Sequence, residues 1–315
     1  MLKSFVVIIV SLLIFTALNA LVSGMIFYYI SKPFGKTIIP HGEDAKQTIK
    51  SKQTSGIHND IDYNRLCIVL KNGIRLYGYF VPNDNSDKLI VILHGYGDQV
   101  TNLLPYVKHF QSLGYNVFVP YLRAHGDSGG TCGFGYKDAP DIIEWIEFLE
   151  RTRGTSFRTT IIGRSMGATT AINTALLGKD LQIDAIIVDS AAPDFFNIVR
   201  IVYSWRVKYP WSLVRPFLVI YFKLFGGLTL NNLSLSGRIQ LLDVPILFIH
   251  GKKDGLIDYK GVEALYKAVQ CEKDILLSEI ADHLGMMTLE PEQYWGKVDG
   301  FLKDTTINRQ TKNIF

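Results

Sequence analysis

Gly163-Arg164-Ser165-Met166-Gly167 stands directly behind the apolar run Thr160-Ile161-Ile162 and directly before Ala168-Thr169-Thr170-Ala171-Ile172. The order is strand-like run, tight turn with small residues two places either side of a serine, helix-like run. That is the G-x-S-x-G arrangement in which a sharp strand-to-helix turn presents a serine hydroxyl. Small flanking residues are needed because the crossing backbones leave little room for side chains. A serine is a weak nucleophile unless it is held exposed beside a base. The pentapeptide therefore limits the chain to architectures in which a strand feeds a helix, and it marks Ser165 as a candidate nucleophile.

The rest of the chain repeats that unit. Apolar strand-like runs fall at 88–93, 115–120, 185–189, 244–250 and 274–278, and helix-like segments near 101–113, 137–152, 166–178, 260–270 and 291–303. Such alternation predicts an α/β fold with a mostly parallel central sheet and helices on both faces. An antiparallel start is expected, because Lys71-Asn72-Gly73 separates strand-like runs at 66–70 and 74–81, and Asn-Gly is a strong hairpin signal. The alternation is unbroken, so one domain is expected over 61–305, with a C-terminal tail at 306–315.

A serine nucleophile needs a base, an orienting acid and donors for an oxyanion. In the strand–turn–helix version of this chemistry the chain order is Ser, then Asp or Glu, then His. Asp254 follows the strand ending at His250, and His283 follows the next strand, within Ala281-Asp282-His283-Leu284-Gly285. The first strong strand runs into His94-Gly95-Tyr96-Gly97-Asp98, whose glycines let backbone N–H groups face a ligand. The backbone N–H groups of Tyr96 and Met166 are the expected oxyanion donors. Asp189, at the end of another strand, is the rival acid. His94 and His250 read as loop-shaping hydrogen bonders, His125 as a brace, and His41, His58 and His109 as tether or surface residues. Asp258 and Asp282 read as turn residues.

Together these residues resemble the α/β-hydrolase superfamily over about residues 60 to 305. Tyr121-Leu122-Arg123-Ala124-His125-Gly126-Asp127-Ser128-Gly129-Gly130 is similar to the family's D-x-R-G-H-G-x-S loop. Tyr121 stands where Asp is usual and Ala124 where Gly is common, which puts that loop's local geometry in question. The subgroup it resembles is the bacterial membrane-anchored or cell-surface serine hydrolases, similar to esterases and thioesterases. The resemblance implies hydrolysis of a carboxylic ester or thioester through an acyl-enzyme on Ser165. His283 would act as base and Asp254 as its orienter. Two alternatives stay open: a prolyl-oligopeptidase-like serine peptidase, and a non-catalytic binding module on the same fold.

Composition excludes several classes. The formal charge is only +4 over 315 residues, and no basic stretch interleaved with aromatics suggests a nucleic-acid partner. Cys67, Cys132 and Cys271 are too few and too scattered for a disulfide framework and read as buried or semi-buried thiols. No His, Asp or Glu cluster has ligand spacing, so no metal is expected; nor is any cofactor.

The first thirty residues differ from the rest. From Phe5 to Ile30 there is no charged residue. A spanning helix needs ~20 apolar residues. Residues 1–30 therefore read as a transmembrane anchor, or as a signal peptide starting at Lys3, with a polar tether at 31–60. Lys32, Lys36, Lys46, Lys50 and Lys52 outweigh Lys3 and favour a cytoplasmic domain by the positive-inside rule. The resemblance, and a short N-terminal tail, favour a cell-membrane protein whose domain is extracytoplasmic. A helical cap is expected at about 194–237, where residues 195–233 hold no acidic residue, five basic ones and ten aromatics. Its aromatics would line a pocket for the acyl group of a small-molecule or lipid-like ester, with the basic face on anionic headgroups. Otherwise the cap simply packs on the sheet with its basic residues in water.

Overall fold

The computed structural model describes residues 2–33 and 61–312. The tether expected at 31–60 lies, from residue 34 on, outside the described residues. The elements are α1 (Leu2–Ser31), β1 (Asn64–Val69), β2 (Arg75–Val81), β3 (Lys88–Leu93), α2 (Leu104–Ser112), β4 (Asn116–Pro120), α3 (Asp138–Arg153), β5 (Arg158–Arg164), α4 (Met166–Leu177), β6 (Ile183–Asp189), α5 (Phe195–Arg206), α6 (Trp211–Leu224), β7 (Ile246–Gly251), α7 (Tyr259–Ala268), β8 (Lys273–Ser278), α8 (Met286–Leu289) and α9 (Pro291–Lys312).

The strands form one sheet in the order β1-β2-β4-β3-β5-β6-β7-β8. β1 and β2 pair antiparallel around the Asn72-Gly73 turn, and β2 pairs antiparallel with β4. Every other pairing is parallel. Because side chains alternate across a strand, β3 sends Leu89, Val91 and Leu93 to one face and Ile90 and Ile92 to the other. The first face packs on Trp145 and Leu149 of α3 and Ala168, Ala171 and Ile172 of α4. The second packs on Tyr106 and Phe110 of α2 and Tyr294 and Val298 of α9. A strand covered on both sides must be apolar throughout, which is why the central strands show no polar alternation.

The cap expected at 194–237 consists of α5 and α6. Asp194 caps α5 by accepting from the N–H groups of Phe196 and Asn197. Phe195, Phe196, Leu218 and Phe222 are buried between the two helices and Phe134. Arg200, Arg206, Lys208, Arg215 and Lys223 are exposed.

Three expectations need correction. The helix expected to end near 303 continues to Lys312, so most of the expected tail is helical. Cys67 is exposed rather than buried, since it lies on the outer face of the edge strand β1. His109 is more than a surface residue: it stacks on Trp295 with centroids 3.9 Å apart and pairs with Asp299 at 2.8 Å. One arrangement was not expected at all. The second half of α1 packs along α6, with Ser23 Oγ donating to the Val214 carbonyl and Phe27 against Phe222.

Candidate active site

The carboxyl ends of β3, β5, β6, β7 and β8 lie along one edge of the sheet, and the loops leaving them carry the chemistry. At the end of β5, Ser165 has φ 53° and ψ −113°. That backbone is strained for an L residue and is held by its surroundings. The Ser165 N–H donates to the Asp189 carbonyl at 2.8 Å. Gly163 and Gly167 are required by close approach. A Cβ on Gly163 would lie 2.2 Å from the Gly167 carbonyl oxygen, and one on Gly167 would lie 2.3 Å from the Leu93 oxygen.

The three residues singled out from the sequence meet in one line. His283 Nε2 is 3.1 Å from Ser165 Oγ, and His283 Nδ1 is 2.7 Å from Asp254 Oδ2. Asp254 Oδ1 accepts from the N–H groups of Leu256 (2.8 Å) and Ile257 (2.9 Å). Burial pushes the Asp254 carboxyl up, but the hydrogen bond and charge of His283 and these two amides outweigh it. The carboxyl is held below its ordinary value. The Asp254 side chain is fully buried while that of His283 is 24% exposed. Asp254 is thus shielded, while His283 opens toward Ser165. His250 stands behind the acid, its Nε2 2.9 Å from the Ile257 carbonyl and 3.4 Å from Asp254 Oδ2.

Asp189, the rival acid, serves elsewhere. It is buried, with Oδ2 accepting from Tyr294 and Oδ1 from Ser190. Burial raises its carboxyl pKa, the reverse of Asp254. Asp258 caps α7 through the Lys260 N–H.

The loop after β3 lies against Ser165: a Cβ on Gly95 would sit 3.5 Å from Ser165 Cβ. Tyr96 follows Gly95 in that loop, and Met166 follows Ser165 and opens α4; their backbone N–H groups are the ones expected as donors. The histidines shape this loop. His94 Nε2 accepts from the Leu122 N–H, so its Nδ1–H donates to the Gly95 carbonyl. His125 Nε2 accepts from the Gly97 N–H, and its Nδ1–H donates to the Arg123 carbonyl. Tyr121 covers Gly126, in line with the altered start of that loop.

Two braces were missed in the sequence. Arg164 donates to Asp98 at 3.2 Å and tethers the β3 loop to the turn bearing Ser165, with both side chains under 15% exposed. The last turn of α1 is the second brace. The Ile30 carbonyl accepts from Tyr96 OH at 2.9 Å, and the Ser31 carbonyl accepts from the Cys132 N–H at 2.9 Å. Cys132 Sγ lies 3.6 Å from Met166 Sδ. Among the described residues, no group of three or more His, Cys, Asp or Glu side chains could hold a metal.

Burial depresses the imidazoles of His94 to about 4 and His125 to about 3. In the unfolded chain both would protonate below about 6.5, while the folded chain keeps them neutral. The unfolded state therefore binds more protons, and stability falls as pH drops through 6.5 toward 4. At pH 5 the loss is about 2 kcal/mol for each histidine. Thermal unfolding of the full chain in detergent should show its midpoint dropping over this range, and His125→Gln should flatten the slope. An unchanged slope in that variant would contradict the account.

A family model described as serine aminopeptidase, S33, matches residues 84–212. An uncharacterized Bacillus subtilis protein, YqkD, is 28% identical over 299 residues, covering 92% of this chain and 96% of its own. An uncharacterized membrane protein of Saccharomyces cerevisiae is 24% identical over 246 residues, covering 77% of this chain and 80% of its own. The Pyrococcus furiosus esterase Pf2001 superposes with a TM-score of 0.66, covering 82% of this chain and 99% of its own at 24% identity. The fold, the order of its strands and the family match agree. The chain has the α/β-hydrolase fold. Among the described residues, α1 is the helix long and apolar enough to cross a membrane.

Proposed function

We propose that this chain is a membrane-anchored serine hydrolase of the α/β-hydrolase superfamily that cleaves carboxylic esters or thioesters through an acyl-enzyme on Ser165. The observation that carries the reading is His283, within hydrogen-bond reach of both Ser165 Oγ and Asp254 Oδ2. His283 Nε2 takes the hydroxyl proton as Ser165 Oγ attacks the acyl carbonyl. Asp254 holds the proton-bearing Nδ1 toward itself and offsets the imidazolium charge. The Tyr96 and Met166 amides donate to the tetrahedral oxyanion, whose loss of one donor typically costs about 10²–10³ in rate. The imidazolium returns its proton to the leaving alcohol or thiol. Water, deprotonated by the same ring, then releases the acid. The helix α1 holds the enzyme in the cell membrane, with the catalytic domain on its extracytoplasmic side.

Amide cleavage is the second reading, favoured by the aminopeptidase description of the matching family model. An aminopeptidase must hold the charged amino end of a peptide. Yet the cap and its exit, residues 195–242, contain no acidic residue to pair with it. A non-catalytic module has less support, because such proteins usually lack a member of the relay.

A fluorophosphonate probe tests the proposal, since it reacts only with an activated serine. Peptide mapping of the labelled chain should find the adduct on Ser165, and short-chain p-nitrophenyl esters should turn over faster than the matching anilides. Absence of labelling, or an adduct on another serine, would overturn the assignment. Faster anilide turnover would select the peptidase.

A further inference from the structure

Along α1 the buried residues Asn19, Ser23, Phe27 and Ser31 recur every fourth position and make one stripe. The cap covers that stripe in step. Tyr209 OH donates to Asn19 Oδ1 at 2.9 Å, Ser23 Oγ donates to the Val214 carbonyl at 3.1 Å, and the Phe27 ring stands 5.3 Å from that of Phe222. The two helices therefore run side by side in the same direction. Before Asn19 no such stripe exists. The large apolar side chains from Phe5 to Leu18 are all between 41% and 65% exposed.

That boundary sets a depth. Residues 2–18 rise ~25 Å at 1.5 Å each, close to the ~30 Å hydrocarbon thickness of a bilayer. Asn19, where the domain begins to cover the helix, then falls at the hydrocarbon edge. Tyr209 brings the α5–α6 connection to the same level. This tip carries Trp205, 61% exposed, with exposed Arg206 and Lys208 and half-buried Tyr209 and Trp211 beside it. No acidic residue lies between 195 and 242 to repel an anion. Aromatic rings favour the bilayer interface and cations favour anionic headgroups. Placing Arg206, Lys208 and Arg215 deeper, among acyl chains, is strongly disfavoured. The tip is therefore matched to the headgroup layer, with Leu21 and Met25 extending the apolar surface of α1 into it.

The opposite end of the covered stretch reaches the reacting groups, through Ile30 to Tyr96 and through Ser31 and Cys132 to Met166. One continuous helix thus links the leaflet to Tyr96 and Met166, the residues whose amides are the proposed oxyanion donors. Ile30 is eleven residues past Asn19, ~17 Å along the axis. The docked helix fixes that height and prevents the domain from swinging free on its anchor.

We propose that residues 205–211 form a docking surface for the anionic headgroups of the leaflet from which α1 emerges, and that the site draws acyl lipid esters from that leaflet. The substrate half of this statement rests on the serine-hydrolase reading; the docking half does not. The full chain, reconstituted in phosphatidylcholine vesicles containing phosphatidylglycerol, tests both.

With brominated lipids in those vesicles, tryptophan fluorescence should be quenched, and Trp205→Phe should lose most of that quenching. Equal quenching in the two chains, or none in either, would overturn the docking. In the second arm, the Trp205→Glu, Arg206→Glu, Lys208→Glu chain should hydrolyse soluble p-nitrophenyl butyrate within twofold of the parent. Its rate on a long-chain ester embedded in the vesicles should fall about tenfold or more, and dependence on phosphatidylglycerol should vanish. An undiminished rate on the embedded ester would overturn the substrate assignment. If the parent chain hydrolyses neither ester, the hydrolase reading fails, while the quenching still decides the docking.

Discussion

Ser165→Ala and His283→Ala should each lower kcat on a short-chain ester by about 10⁵- to 10⁶-fold, and the double variant should be no slower than either single one. The geometry dictates the non-additivity. His283 Nε2 faces Ser165 Oγ at 3.1 Å, and each of its proton transfers serves the formation or breakdown of the acyl-enzyme on that hydroxyl. Without the hydroxyl the imidazole has no task, and without the imidazole the hydroxyl stays a poor nucleophile at neutral pH. The residual rate should still exceed that in water, because the proposed oxyanion donors, the Tyr96 and Met166 amides, and the binding surface survive both changes. Single-turnover assays of the three variants on one ester give the measurement. Losses that multiply in the double variant would mean that the two side chains act in separate steps, and the relay would be wrong.

How much of this site the sequence discloses depends on the range of the interaction. The turn at Gly163-Arg164-Ser165-Met166-Gly167 is local: strand, glycine, serine, glycine and helix are consecutive, and the close approaches that require glycine occur within it and at the end of β3. The order of Ser165, Asp254 and His283 is legible because parallel strands deliver their carboxyl ends to one edge, so loops far apart in sequence converge. The central strands are legible because burial on both faces leaves an unbroken apolar run.

Long-range partners leave fainter marks. Asn19 and Ser23 read as polar punctuation in an apolar segment, yet they are the residues that the cap covers. Two small or polar residues four apart are what close packing of helices in an apolar setting uses, but that spacing alone does not name the partner. Arg164 occupies the variable second position of the pentapeptide, and nothing local signals its pairing with Asp98 across the site. His109 looked like a surface residue because its ring partner, Trp295, arrives from the other end of the domain. In each case the chemistry was visible, and the partner was hidden by chain separation.

Asp254→Asn should leave the fold intact and lower kcat by about 10⁴-fold, and the reason lies in the two bonds on the far side of the carboxylate. Asp254 Oδ1 accepts from the Leu256 and Ile257 N–H groups, both of which can only donate. An asparagine at 254 must keep its carbonyl oxygen there, since turning the amide round would set its NH₂ against two further donors. Its NH₂ is then forced into the place of Oδ2, facing His283 Nδ1. That nitrogen must become the acceptor, which moves the ring proton to Nε2, the atom that has to take the proton of Ser165. The base is disabled by the wrong tautomer while every heavy atom stays near its place. Asp254→Ala differs, because it removes the partner of both amides and should destabilise the chain as well as slow it. The contrast is measurable: the Asn chain should unfold close to the parent's midpoint and react sluggishly with the fluorophosphonate probe, whereas the Ala chain should lose both stability and reactivity. An Asn chain with near-parental kcat would show that the carboxylate does not set the tautomer of His283.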